Sequence, residues 1–211
     1  MTRVHPTAVI EPGVEIGEGT AVWDSAHVRG PGTTIGADCV IGEKTYVAYG
    51  VRIGNRVKVN AFVYIPTMVT IEDGVMISAH TVFTNDRYPR ATTPDLGELL
   101  PSDPDDTTLA TTVREGATIG ARSVIGPGLV IGRFAMVGMG SVVTRSVPDF
   151  HLVAGSPART LAAVSRSGEP IIRIVDGALP DAELLVCPRS GLRYAVRHGE
   201  VVELDPPVPS A

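Results

Sequence analysis

Valine, isoleucine or phenylalanine recurs every six positions along most of this chain of 211 residues. The recurrence fits neither the 3.6-residue period of an α-helix nor the two-residue alternation of a simple strand. A short fixed repeat indicates a solenoid, and a six-residue repeat is typical of a parallel β-helix. Twenty positions keep this register, with two interruptions: Val4, Ile10, Ile16, Val22, Val28, Ile35, Ile41, Val47, Ile53, Val59, Ile65, Ile71, Ile77, Phe83, Val113, Ile119, Ile125, Ile131, Val137 and Val143.

Each hexad has a second preference, for a small or β-branched residue four positions after the aliphatic one, as at Ala8, Cys39 and Ser123. Glycine often follows the aliphatic residue directly, as at Gly36 and Gly120, where we expect it to permit a tight corner with positive φ. Each hexad therefore predicts a short strand and a corner, and three hexads predict a triangular coil. The aliphatic and small residues should fill the interior of the prism.

The repeat resembles that of the hexapeptide-repeat acyltransferases, over about residues 4–160. The resemblance implies an all-β fold, a left-handed parallel β-helix, and it is the only source of the handedness. At three hexads a coil, twenty hexads predict about six to seven triangular coils. We expect a β-helix domain over residues 1–160 and a small C-terminal appendage over residues 161–211.

Composition and charge exclude several classes of function. The net charge is −5, without a basic run, which argues against nucleic-acid binding. The sequence shows no signal peptide and no long apolar segment, so we expect a cytoplasmic protein without a membrane partner. The two cysteines, Cys39 and Cys187, indicate no disulfide framework. The segment around Cys187 lacks the four ligands that zinc requires, so we expect no metal.

The six-residue register is interrupted twice. One residue is added near positions 30–34, which predicts a widened corner. Over residues 84–112 the register is lost in a segment rich in Pro, Thr and Asp, and it resumes at Val113. We therefore expect a protruding loop, and loops of this length are often functional. In the trimeric acyltransferases that the repeat resembles, such a loop leans over the cleft between subunits, so a lid or a substrate contact is expected here. A floppy excursion without a function is the alternative.

Two later segments resemble the cofactor-binding segments of coenzyme-A-dependent hexapeptide acetyltransferases. Residues 138–145 read GMGSVVTR, and residues 155–159 read GSPAR. The resemblance implies acetyl-CoA as co-substrate, bound by Thr144, Arg145 and Arg159, because arginines neutralise its phosphates through charge-assisted contacts. Residues 18 positions apart share a place in successive coils, which adds Ala121 and Met139 to a groove parallel to the axis. Capping of the helix end is the alternative role for these segments.

The segment FTNDRYPRA at residues 83–91 and the HPTA at residues 5–8, with Val22-Trp23, resemble the nucleotide-sugar N-acetyltransferases. Those enzymes acetylate an amino group on a UDP- or dTDP-linked sugar for surface polysaccharide assembly. The resemblance implies that Asn85 faces the acceptor. Several relatives place a catalytic histidine two positions after the preceding aliphatic residue, which is Ala79 here, with His80 following it. His80 is thus a candidate base, and a role in the surface turn is the alternative.

Amide formation does not depend on a strong base. Alignment of the reactants can contribute roughly 7–11 kcal/mol, and a general base adds about 10²–10⁴-fold. Asp86 is a second candidate proton acceptor, or else a solvated turn carboxylate. Cations for the nucleotide phosphates are expected from Lys58, which lies in a stretch that resembles the same enzymes, and from Arg87 and Arg90 in the loop. Arg52 and Arg56 precede the loop as further candidates.

The sequence therefore predicts an acetyl-CoA-dependent N-acetyltransferase of nucleotide-linked amino sugars. The resemblance implies a homotrimer with active sites between subunits, because a flat β-helix wall offers no pocket by itself. An O-acetyltransferase of sugars or other hydroxyl acceptors, a γ-type carbonic anhydrase with three histidines on zinc, and a non-catalytic β-helix scaffold are the alternatives. Five histidines with one in the central coils argue against the carbonic anhydrase.

Overall fold

The computed structural model describes residues 1–207, and these residues form β-strands joined by turns and loops. The hexads wind into a parallel β-helix with three flat faces, which we call face A, face B and face C in the order in which each coil visits them. Strands of successive coils pair in parallel and in register, as Lys58 does with Met76 and Ile77 with Ile119. The predicted left-handed parallel β-helix is confirmed.

The strands of each face have the following bounds. Face A contains β1 (Arg3–Val4), β4 (Ala21–Val22), β7 (Val40–Ile41), β10 (Lys58–Val59), β13 (Met76–Ile77), β16 (Thr118–Ile119), β19 (Met136–Val137) and β21 (His151–Gly155). Face B contains β2 (Val9–Ile10), β5 (His27–Val28), β8 (Tyr46–Val47), β11 (Tyr64–Ile65), β14 (Val82–Phe83), β17 (Val124–Ile125) and β20 (Val142–Val143). Face C contains β3 (Glu15–Ile16), β6 (Thr34–Ile35), β9 (Arg52–Ile53), β12 (Val69–Ile71), β15 (Thr111–Val113) and β18 (Val130–Ile131).

The helix makes about eight turns, more than the six to seven predicted, because eight parallel strands stack on face A. The extra turn follows Val143, where the six-residue register ends. Val147 bridges Ile131 on face C, and β21 then returns to face A beside β19. These residues close a coil without keeping the hexad spacing, so the register could not count it.

The interior holds the two residue positions that the repeat predicted. The aliphatic residues Ile41, Ile77 and Ile119 are fully buried, and burial of such a side chain contributes roughly 1.5–3 kcal/mol. The small residues four positions later are buried too, including polar ones. Their hydroxyls donate to carbonyls of the next coil, as Thr45 Oγ1 does to the Asn60 carbonyl at 2.9 Å. A polar residue can therefore occupy the core without an unsatisfied group.

The predicted reason for the corner glycines is wrong. Positive φ occurs two positions after these glycines, at residues such as Asp38 (φ 56°) and Lys44 (φ 55°). Gly36 is required for close approach instead, because an added Cβ would lie 2.5 Å from the Gly54 carbonyl oxygen in the next coil. The glycines that directly follow an aliphatic residue therefore let successive corners stack at the spacing of the strands.

The C-terminal appendage is antiparallel. Strands β22 (Ala158–Val164) and β23 (Pro170–Arg173) extend face A from β21, so the predicted domain boundary at residue 160 falls inside β22. Strands β24 (Ala182–Val186), β25 (Arg193–Arg197) and β26 (Glu200–Glu203) form a separate sheet. This sheet covers the last coil through a core that contains Phe150, Cys187 and Tyr194. The division into domains stays a prediction.

Candidate active site at two edges of the β-helix

The predicted site residues lie along two edges of the prism. Edge AB is the column of corners where each coil passes from face A to face B, and edge BC is the next column, between faces B and C. On edge AB, the residues two positions after each face A aliphatic form a line parallel to the axis, which we call the trough. Its members are Pro6, Asp24, Glu43, Ala61, Ala79, Ala121 and Met139.

The N-terminal half of the trough opens into a shallow groove of about 550 Å³ on face A. Lys58 points outward from β10 and lines this groove with Glu43, Asn60 and Ala79. Trp23, which is 43% exposed, borders it toward the N-terminus. The structure therefore brings the predicted phosphate ligand Lys58 beside the trough. Arg52 lies on face C instead, and Arg56 pairs with Asp73 at 3.1 Å.

His80 lies at the outer side of edge AB, one position beyond Ala79. It is exposed, its φ is 61°, and its ring stacks on Phe62 with centroids 4.8 Å apart. The ammonium of Lys44 lies 5.1 Å from the centre of the Phe62 ring, which extends the stack by one coil. Ala79, not His80, lines the groove. The imidazole therefore lies on the outer side of edge AB, stacked on Phe62, and not in the groove.

Three of the predicted cofactor residues share edge AB. Ala121 is half-buried in the trough, and Met139, one coil later, is 83% exposed. Arg159 on β22 stands opposite Ala154 on β21, which in turn packs beside Gly138, since a Cβ added there would lie 2.8 Å from the Ala154 Cβ. These residues form the C-terminal continuation of the trough.

The other predicted residues lie on edge BC. Thr144 and Arg145 follow β20 and are exposed. Asn85 follows β14 and begins the loop. Its amide donates to the Thr67 carbonyl at 3.4 Å, and its own carbonyl accepts from the Leu109 backbone at 2.7 Å. These bonds close the base of the loop, which runs over residues 84–110 before β15, two residues shorter than predicted.

The loop is held by Asp86, whose carboxylate accepts from the Thr108 hydroxyl at 3.0 Å. This contact engages the side chain that was a candidate proton acceptor. Burial raises the pKa of the Tyr64 phenol, and the charges of Tyr46 and Asp86 add to the effect. Arg87 and Arg90 are exposed farther along the loop.

Face B, which separates the two edges, is unusually apolar on its outside. Val9, Tyr64 and Val82 are 52%, 45% and 38% exposed, and Val124 and Val142 continue the same column. Tyr46 and Tyr64 stack with ring centroids 5.2 Å apart. On face C the outward residues are mainly polar, among them Arg52 and Thr112. Exposed apolar patches that are rimmed by polar residues mark interaction surfaces.

The predicted site residues on edge AB and on edge BC occur in the same coils. His80 and Asn85 flank β14 at opposite edges of face B, and Met139 and Arg145 flank β20 in the same way. Each pair is at one height along the axis, yet the width of face B separates its members within one chain. Sequence reasoning missed Trp23, Glu43 and Asn60 as groove residues. Counting positions within each coil, rather than along the chain, would have placed them on edge AB.

Residues 1–207 were also compared with the requirements of a metal site and of a membrane-spanning helix. No group of three or more His, Cys, Asp or Glu side chains in this range could hold a metal ion. The thiol of Cys187 is buried and lies 3.3 Å from the Ser165 hydroxyl. Over the same residues, no helix has the length and apolar character needed to cross a membrane.

Two family descriptions match the repeat. "Bacterial transferase hexapeptide (six repeats)" matches residues 32–67, and "Hexapeptide repeat of succinyl-transferase" matches residues 111–145. Both segments lie in the coils that carry the trough, on either side of the loop. They confirm the hexapeptide repeat that the spacing predicted.

Curated relatives match part of the chain. The dTDP-3-amino-3,6-dideoxy-alpha-D-galactopyranose 3-N-acetyltransferase of Aneurinibacillus thermoaerophilus is 43% identical over 94 residues, which cover 44% of this chain and 45% of that protein. An acyl-[acyl-carrier-protein]–UDP-N-acetylglucosamine O-acyltransferase of Brucella ovis is 40% identical over 58 residues, covering 28% of this chain and 20% of that protein. The chain thus spans less than half of the length of these relatives.

Among solved structures, AntD, an N-acyltransferase from Bacillus cereus in complex with dTDP and 3-hydroxybutyryl-CoA, matches with a TM-score of 0.53 and 24% identity, covering 79% of this chain and 81% of that chain. This likeness supports the fold. Over residues 32–67 and 111–145 the chain is thus similar to hexapeptide-repeat transferases, and over 94 residues it is similar to the Aneurinibacillus N-acetyltransferase.

Proposed function

We propose that this protein is an acetyl-CoA-dependent N-acetyltransferase of a UDP- or dTDP-linked amino sugar, and that it acts as a homotrimer. The observation that carries the proposal is the coil-by-coil match between edges AB and BC on either side of the apolar face B. The Aneurinibacillus relative, which by its name acetylates a dTDP-linked amino sugar, supports the substrate class.

The geometry of the prism supports the proposed trimer. A threefold axis parallel to the helix axis keeps equivalent coils at one height and forms a closed ring. When face B packs against neighbouring copies, edge AB of one chain meets edge BC of the next. Burial of the exposed Tyr64 and Val82 then contributes about 25 cal/mol per Å² of apolar surface. His80 of one chain comes to face Asn85 of its neighbour, and Met139 faces Arg145.

The reaction forms an N–C bond and breaks the C–S bond of the thioester. The neutral amine attacks the acetyl carbonyl, the tetrahedral intermediate collapses, and the coenzyme A thiolate leaves. The proton of the amine passes to that thiolate or to water. Asn85 holds the amine or a neighbouring hydroxyl of the sugar by hydrogen bonding, and alignment of the reactants is worth roughly 7–11 kcal/mol. His80 lies at the same height and is available as a proton acceptor.

The trough accounts for the binding of acetyl-CoA. Ala121 has a small side chain, so the extended pantetheine arm can lie along edge AB toward Met139. Arg159 of the same chain and Arg145 of the neighbour then lie near the phosphates, where charge-assisted contacts are roughly twice as strong as neutral ones. We place the reaction in the cytoplasm, as the sequence predicts, because acetyl-CoA is available there.

Release of coenzyme A from acetyl-CoA, followed with a thiol reagent across a panel of UDP- and dTDP-amino sugars, tests the proposal. Each amino sugar is paired with its hydroxyl counterpart, and we expect thiol release with the amines only. Release with the hydroxyl sugars would indicate O-acetylation instead. Absence of release with every acceptor, together with absence of coenzyme A binding, would refute the enzyme and leave the scaffold.

The proposed acetyl-CoA site can be tested with one variant and a matched control variant. Arg145→Ala removes a cation from the proposed phosphate site on edge BC, whereas Arg52→Ala removes an exposed cation from face C. We expect the KM for acetyl-CoA to rise about tenfold in Arg145→Ala and to stay unchanged in Arg52→Ala, since one charge-assisted contact contributes about 1.5–3 kcal/mol. An equal KM in both variants would place the phosphates elsewhere.

A further inference from the structure

The groove on face A contains a set of side chains that acetyl transfer does not use. Trp23, Glu43, Lys58 and Asn60 line it on the N-terminal side of Ala79. Its floor is made of small residues, including Ala21 and Gly42. An exposed indole, a carboxylate, an amide and an ammonium around a small-residue floor form a surface with both a stacking group and a cation.

The spacing of these groups is set by the coils. Trp23 follows β4 and Lys58 lies on β10, so two coils separate them. At about 4.8 Å per coil, this is about 10 Å along the axis. Ala79 follows β13, one coil beyond Lys58, and the proposed acetyl-transfer point is therefore about 5 Å farther. Along the groove, the indole of Trp23 comes first, the ammonium of Lys58 follows, and the proposed reaction centre at Ala79 comes last.

Resting on the proposed function, we propose that this groove binds the nucleoside diphosphate part of the acceptor, with the base stacked on Trp23 and the diphosphate held by Lys58. The Arg3 guanidinium carbon lies 4.8 Å from the indole centroid and packs over one face of the ring. The base takes the other face, and Glu43 and Asn60 provide hydrogen-bonding groups for the ribose and the base edge.

This orientation places the sugar at the reaction centre. The amino sugar follows the second phosphate, so it extends from Lys58 toward Ala79, His80 and the neighbour's Asn85. Coenzyme A approaches the same point from Met139 at the other end of the trough. The two substrates thus lie end to end along edge AB and meet at the coil of β13 and β14.

Trp23 is the only tryptophan in the chain, so its fluorescence reports on the groove directly. Titration of the purified protein with UDP and with dTDP is expected to give a saturable change in emission. Coenzyme A is expected to give none, because its reactive end reaches only Ala79, which follows β13, three coils from Trp23, or about 14 Å along the axis.

Variants distinguish the contribution of stacking on Trp23 to nucleotide binding from that of the charge of Lys58. Trp23→Ala should weaken nucleotide binding by roughly tenfold or more in calorimetry, because base–aromatic stacking is worth about 1–3 kcal/mol, while Trp23→Phe should restore most of it. Lys58→Ala should weaken binding by a similar factor and keep the emission change at saturation. Arg52→Ala, on face C, is the matched control and should bind as the wild type does.

The proposal is overturned if neither nucleotide changes the emission, or if Trp23→Ala and Lys58→Ala bind nucleotide as tightly as the wild type. Kinetics distinguish this failure from failure of the enzymatic activity. Coenzyme A release with an unchanged KM for the amino-sugar nucleotide in both variants would overturn the subsite and leave the acetyltransferase intact. Nucleotide binding that depends on Trp23 and Lys58, without coenzyme A release, would support the subsite and count against acetyl transfer.

Discussion

If edge AB of one chain and edge BC of its neighbour form the site together, two variants that are nearly inactive as homotrimers should recover activity when they are combined in one trimer. Ala79→Trp fills the trough on edge AB at the height of the reaction centre. The equivalent position holds Glu43 and Met139 in other coils, so a large side chain there is compatible with the fold. Asn85→Ala removes the acceptor contact from edge BC. A misplaced or uncontacted acceptor costs about 10²-fold in rate, so each homotrimer should retain about 1% of the activity.

The expected recovery of activity follows from the cyclic arrangement of the three chains in the trimer. An intact site needs edge AB from an Asn85→Ala chain and edge BC from the adjacent Ala79→Trp chain. In a trimer of mixed composition, whether two to one or one to two, one of the three interfaces meets this condition. Mixed trimers should therefore show about one third of the wild-type rate, roughly thirty times the rate of either homotrimer.

The assay uses co-expression of the two variants with different affinity tags, purification over both resins, and coenzyme A release at saturating substrates. A doubly tagged wild-type trimer provides the reference rate. A rate of mixed trimers no higher than that of the two homotrimers would show that one chain supplies both halves of the site. In that case the height match between His80 and Asn85 would have no catalytic meaning.

Three further outcomes are expected. Gly36→Ala should lower the free energy of unfolding by about 2–4 kcal/mol, because its Cβ meets the backbone of the next coil. In Gly50→Ala the Cβ would lie at an ordinary contact distance of 3.6 Å from Thr67 Oγ1, with φ at 70°, so this variant should cost about 1–2 kcal/mol in chemical denaturation. Equal costs would contradict the close-approach argument. Val82→Glu on face B should convert trimer to monomer in light scattering, while Thr112→Glu on face C should not. His80→Ala should keep amine acetylation within about tenfold of the wild type, and a loss of 10² or more would identify a general base.

The fold was predictable because a narrow prism accepts one kind of side chain at each inward position. Buried residues such as Ile77 and Thr45 recur at intervals that no other secondary structure produces, and the loop was visible as a loss of that interval. The last coil was missed because Val147 and β21 complete it with a different spacing. The corner glycines were misinterpreted because steric approach between coils is invisible in the linear sequence.

The sequence proposed residues for the candidate site but did not predict how they are arranged. Asn85 and Arg145 were found through motifs, and Ala121 and Met139 through their 18-residue separation. That these residues divide between two edges depends on the position within each coil, which the motifs do not encode. In the sequence, Trp23 was noted only as part of a resemblance. The residue added near positions 30–34 shifts the count along the chain, so the two-coil separation of Trp23 and Lys58 is visible only in the folded coils.

The coils stack evenly, so equivalent positions along the axis are separated by multiples of one fixed distance. Each coil advances the wall by about 4.8 Å, and Trp23, Lys58 and Ala79 each lie in a coil of the wall. Adding one whole coil between β10 and β13 would lengthen the distance from Lys58 to Ala79 by that step and leave the local chemistry of each corner unaltered. The length of the acceptor is therefore a quantity that the fold can adjust in discrete increments.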